Sequence, residues 1–159
     1  MPEGWYHATH NLDSSIGVAG QNLSRGASTP LMQAWTKVNE ANNGNNPQLA
    51  IDALTAVQDA TPEHAGVCIA RADKLFDIGK QKEAIEDAQT SVNQTPGHSD
   101  SHTRLGQFKL VVALGQLLGG QQPPSQAKDA IVASFERAFE LNPFDVDAAD
   151  CLCALCFAS

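Results

Sequence analysis

From Leu31 onward the apolar residues of this chain recur at three- and four-residue steps, and clusters of Asn, Gly and Pro interrupt the pattern. That period lines one face of a helix, and the interruptions divide it into seven. Thr29-Pro30 supplies a cap and a first-turn proline for a helix over 31–42, which NNGNN ends. A second begins at Pro47 and turns Leu49, Ala53, Leu54, Val57 and Ala60 to one side. Thr61-Pro62-Glu63 caps a third, with Cys68, Ala72, Leu75 and Phe76 inward and a stop near Gly79. A fourth, over 81–93, buries Ala84, Ile85, Ala88 and Val92. Ser99, Asp100 or Ser101 caps a fifth that stays apolar to Leu118, where its end reads as core, before GGQQPPS breaks it. A sixth, over 125–140, buries Ala127, Ile131, Phe135, Ala138 and Phe139. Asn142-Pro143 closes it, and Asp145 or Asp147 opens a last helix through VDAADCLCALCFA. Residues 1–30 are rich in Gly, Ser and Asn and lack the period. They read as an extended or disordered arm, with docking through Trp5 and Tyr6 as the alternative.

The helical text also repeats itself. Pro62 and Pro96 stand 34 residues apart, preceded by AIDALTAVQDATP and AIEDAQTSVNQTP. A third copy, AIVASFERAFELNP, ends at Pro143, 47 residues after Pro96, which is 13 more than the first spacing. Self-similarity of this length marks a helical array in which each unit buries its apolar face against its neighbours. The extra residues fall where the fifth helix lengthens and the GGQQPPS loop follows.

These units resemble the tetratricopeptide repeat, a 34-residue helix-turn-helix module. Ala72, Gly79, Ala84 and Pro96 match its small and turn positions in the second unit. Ala50, Leu54, Val57 and Pro62 match in the first, and Leu105-Gly106, Phe135, Ala138 and Pro143 in the third. The signature aromatic is replaced by Ala34, Cys68 and His102, and Arg71 stands where leucine is usual. The resemblance implies an all-α, right-handed solenoid of three helix pairs (31–64, 65–98, and an extended 99–145) plus a terminal helix over 146–159. It also implies a concave groove lined by the first helix of each pair. Carried over, the groove positions are Trp35, Asn39, Ile69, Asp73, Phe76, Thr103, Arg104, Gln107 and Leu110. A subset of the family grips a C-terminal carboxylate with two lysines, two asparagines and an arginine. Asn39 and Arg104 fit that set, but Trp35 and Asp100 stand at the lysine places and Ala70 at an asparagine place, so the clamp is rejected.

Charge narrows the partners. A net charge of −8 disfavours a nucleic-acid binder, which needs clustered Lys and Arg, and favours basic peptides or basic protein patches. The longest apolar run, 110–118, is too short to span a bilayer. MPEGWYHATH lacks the basic start and apolar core of a signal peptide, which favours a cytoplasmic address and leaves an extracellular one open for a processed chain.

No nucleotide loop, zinc spacing or nucleophile elbow is found, so neither catalysis nor a metal or other cofactor is expected. His98-Ser-Asp-Ser-His102 lacks a further ligand nearby and reads as a polar turn. Cys151, Cys153 and Cys156 scatter over more than one helix face and read as small hydrophobes, with an intermolecular disulfide as the functional alternative.

The last helix has no charge after Asp150, so it is expected to be covered on all sides. Cys151, Leu152, Leu155, Cys156 and Phe157 are then its capping or self-association surface. The sequence thus points to a non-catalytic protein-interaction scaffold. Its rival is a structural protein that forms head-to-tail oligomers or fibres through the apolar tail and the arm.

Overall fold

A computed structural model describes residues 30–62 and 64–157. The arm, and the glutamate of the expected Thr61-Pro62-Glu63 cap, lie outside the described residues. Seven helices and no strand occur among those described: α1 (Pro30–Asn43), α2 (Pro47–Ala60), α3 (Ala65–Asp77), α4 (Gln81–Gln94), α5 (Ser99–Leu118), α6 (Ala127–Leu141) and α7 (Val146–Phe157). Each helix packs on the next, and α3 also touches α5, so the first helices of adjacent pairs share a face. The architecture is an all-α helical-repeat solenoid.

The sequence repeat is also a repeat of hydrogen bonds. Thr61 and Thr95 each finish a helix, donating through backbone N–H and side-chain hydroxyl to the carbonyls of Val57 and Ser91 at 2.8–3.0 Å. Three residues on, the N–H groups of His64 and His98 return to the carbonyls of Thr61 and Thr95. Both histidines hold extended backbone at the N-cap, at φ −90°, ψ 98° and φ −88°, ψ 101°. The expected caps are therefore displaced: the Thr61 hydroxyl closes α2 instead of opening α3. None of Ser99, Asp100 and Ser101 caps α5. In the third junction Asn142 and Asp145 take these places, and Asp145 caps α7 by accepting from the Ala148 N–H at 3.0 Å.

Small residues set the helix spacing. Ala50, Ala72, Ala84, Ala88 and Ala138 are almost wholly buried, so backbones approach closely between the larger Leu54, Val57, Val67 and Phe135. Three clusters follow the chain. The first joins Ala34, Val38, Ala53, Leu54, Val57 and Val67; the second is built on Ile51, Ile69, Ala72, Leu75, Leu105 and Phe108; the third on Ile131, Phe135, Ala138 and Ala148.

Three expected core positions are corrected. The buried stripe of α2 runs through Ala50, Ala53, Leu54 and Val57, so Leu49, just off it, is exposed, as is Ala60 at the helix end. Phe139 is also exposed, because Phe135 and Ala138 already fill the inner arc of α6. The end of α5 is not core: Leu114, Leu117 and Leu118 all face solvent.

Among the described residues, buried side-chain polar atoms other than Gln58 Oε1 are paired. The Ser101 hydroxyl lies 2.7 Å from both His98 Nδ1 and the Ser91 hydroxyl, and Ser91 donates to the Ala65 carbonyl at 3.2 Å. This relay ties the start of α3 to α4 and α5.

Candidate functional site

The groove face is set by α1, α3 and α5. On α5 the inward arcs are occupied: Leu105 and Phe108 face the second cluster, while Leu110 and Ala113 pack on the third. What remains is the stripe Asp100, Arg104, Gln107, Val111, Leu114 and Leu118, repeating at steps of four and three. Arg104 reaches from this stripe to Asp73 on α3 at 3.8 Å and to Asp100 at 3.9 Å, and all three side chains are between a third and half exposed. Beside them the rings of Phe76 and Phe108 stack with centroids 4.6 Å apart and an interplanar angle of 15°.

The carried-over groove residues separate by row. Asn39, Asp73 and Gln107, 34 residues apart in sequence, are exposed or half-buried. The row Trp35, Ile69 and Thr103, with the same spacing, turns toward the seams between helices. Trp35 is half-buried against the first cluster, while Ile69 (5% exposed) and Thr103 (3%) are core. Thr103 donates to the buried carboxylate of Asp145 at 2.6 Å, tying α5 to the start of α7. Ile69 and Thr103 are thus removed from the surface offered to a partner, and Leu110 is turned into the third cluster. Val111, Leu114 and Leu118 were missed, although their spacing from Gln107 was readable in the sequence.

Burial pushes the carboxyls of Asp73 and Asp100 above the usual carboxylate range. Arg104 opposes this at both, while the charges of Asp100 and Asp77 raise Asp73 further and those of Asp145 and Asp147 raise Asp100. A raised carboxyl stabilises the fold fully below its unfolded value and loses that contribution as pH rises through the folded one. Ionising either carboxyl therefore costs stability. Asp73→Asn is expected to unfold at higher urea than the parent at pH 7, with the advantage vanishing on acidification. A variant less stable than the parent at pH 7 would contradict this.

No family model matches the sequence, and no curated protein matches it. Solved structures do. The chain is similar to the first TPR domain of Spaghetti (RPAP3) bound to the HSP90 peptide SRMEEVD, with TM-score 0.66 and 21% identity over 81% of this chain and 92% of that one. It is similar to the Sgt2 TPR domain from Aspergillus fumigatus, with TM-score 0.65 and 19% identity over 83% and 81%. For the TPR2B domain of yeast Sti1, in a complex with pHsp70, the values are 0.62 and 17% over 82% and 95%. The fold is that of a tetratricopeptide-repeat domain.

At the far end of the tetratricopeptide array, α7 is covered on one side only. Cys151, Leu152 and Leu155 pack on the third cluster, whereas Cys153, Ala154 and Cys156 are exposed. Within this chain α6 offers it a single face, so the other side of the apolar tail stays open. The Phe157 side chain lies outside the described residues. Cys68 is fully buried, as a small hydrophobe should be, but Cys153 and Cys156 are not. Burial pushes the Cys151 thiol up, and Asp147, Asp150 and Asp145 push it further. The two histidines of the polar turn serve the backbone and the relay, with His102 Nε2 2.9 Å from the Pro96 carbonyl. Among the described residues no three His, Cys, Asp or Glu side chains come together as a metal site requires, and no helix is long and apolar enough to cross a membrane.

Proposed function

We propose that this tetratricopeptide array is a non-catalytic interaction scaffold whose groove takes a peptide or helix carrying basic residues. The observation behind this reading is the sharing of one guanidinium, Arg104, by two carboxylates from neighbouring first helices, Asp73 and Asp100. Both pairs are long, and burial makes ionising either carboxyl costlier. A lysine or arginine side chain entering between them would make the close charge-assisted hydrogen bonds that Arg104, at 3.8 and 3.9 Å, does not. Peptide binding has precedent in the RPAP3 TPR domains solved with the HSP90 peptide SRMEEVD and the HSP70 peptide SGPTIEEVD. Those peptides end in Glu-Glu-Val-Asp. Here Trp35 and Asp100 replace the lysines such a tail would use, and Arg104 is already engaged, so the preference in charge is reversed.

The reading as a scaffold rather than an enzyme has its own support. Of the serine and histidine that approach each other, Ser101 and His98, the serine is wholly buried, so its hydroxyl is sealed from any substrate.

Fluorescence anisotropy with labelled SRMEEVD and its charge-reversed counterpart SRMKKVK tests the proposal. The basic peptide should bind more tightly, weaken with added salt, and lose roughly tenfold or more on Asp73→Asn/Asp100→Asn. Tighter binding of the acidic peptide would overturn it.

A further inference from the structure

The second half of the α5 stripe differs chemically from the first. Asp100, Arg104 and Gln107 are polar; Val111, Leu114 and Leu118 are aliphatic and exposed to 46, 49 and 90%. They lie on the same arc of the helix, because successive steps of four and three residues keep to one side. The apolar half coincides with the stretch that lengthens the third unit. α5 runs 20 residues where α1 and α3 run 14 and 13, and the loop over 119–126 delays the start of α6. The final turns therefore extend the groove face as an apolar ledge, and the whole stripe is about 27 Å long.

The geometry points to an amphipathic helix as the occupant of this groove, with basic residues at one end over Asp73 and Asp100 and an apolar stripe at the other over Val111, Leu114 and Leu118. This rests on the groove reading above and specifies it. Two observations select a helix over an extended chain. The ledge side chains recur at three- and four-residue spacing, which forms the holes that a partner helix fills with its own a and d residues. The ledge also offers aliphatic groups alone. An extended peptide laid across it would leave its backbone N–H and C=O groups facing carbon, whereas a helix satisfies them internally. The gradient from carboxylates to leucines then fixes the polarity of charge on the partner.

Selection of 20-residue peptides from a displayed random library on the full chain tests this. Binders are expected to gain helicity on binding by circular dichroism, with apolar residues at heptad spacing and Lys or Arg at one end. Leu114→Glu/Leu118→Glu, at exposed positions that leave the thermal melt unchanged, should weaken them by about thirtyfold or more. Binders that stay extended, ignore the ledge substitutions and are lost on Asp73→Asn/Asp100→Asn would overturn the helix inference and leave the groove reading standing. Binders indifferent to both pairs of substitutions, or none at micromolar concentration, would overturn both. Self-association abolished by Leu114→Glu would place a second copy on the ledge and overturn the inference as well.

Discussion

Arg71→Met is expected to lower the free energy of unfolding by about 3–5 kcal/mol, because it strands a carboxylate inside the array. Arg71 on α3 forks onto Asp87 on α4 through Nε and a terminal nitrogen at 2.6 and 2.7 Å, and its other terminal nitrogen reaches the Thr55 hydroxyl on α2 at 3.3 Å. The two ionic side chains are only 20 and 14% exposed. Hydrogen bonding to Asp87 pushes the guanidinium further toward its charged form, against the burial that opposes it. The repeat family usually places leucine here, so the pair substitutes for apolar contact and adds directionality across three helices. That makes a second measurement decisive. Arg71→Met/Asp87→Leu should recover most of the loss in urea melts, since a packed apolar pair is about as stable as a buried ion pair. A double variant as unstable as the single would show that Arg71 acts through something other than the Asp87 charge.

Such a pair was invisible in the sequence, where Arg71 registered only as a departure from a leucine position. What the sequence did disclose was whatever the repeat encodes twice. The Thr-Pro ends and alanines at close approach recur, and the left-handed turn at Gly79, φ +83°, is matched 34 residues earlier by Asn45 at φ 49°, since that backbone geometry admits few residue types. Groove membership was less legible. Trp35, Ile69 and Thr103 occupy one position in three units, yet they point into seams whose depth depends on neighbouring side chains. Thr103 is drawn inward by Asp145, 42 residues away, a contact no local pattern carries. The end of α5 failed for the converse reason. An apolar run announces hydrophobic residues, but core needs a partner element, and the loop over 119–126 leaves the last turn short of one.

Phe135→Ala is expected to cost about 3–5 kcal/mol, a large part of the roughly 5–15 kcal/mol that holds a domain of this size. The ring is fully buried at the crossing of α5 and α6, and it owes its position to Gly106. A Cβ built on that glycine would meet two ring carbons of Phe135 at 2.9 Å, closer than side-chain carbons tolerate. Gly106→Ala alone therefore sets a helix-propensity gain of about 1 kcal/mol against roughly 1–3 kcal/mol of overpacking, and should be destabilising. Pairing it with Phe135→Leu should cost less than the two changes summed, because a shorter side chain vacates the space the methyl needs. Additive costs would mean that the glycine and the ring do not meet. The consequence reaches the groove. α5 carries both Arg104 and the ledge, and α6 is the element that orients it from behind. A loosened crossing should weaken binding of a helical partner while leaving the Arg71–Asp87 fork, which joins α3 to α4, intact. Hydrogen exchange that opens α5, α6 and α7 in Phe135→Ala but spares α3 and α4 is the expected signature.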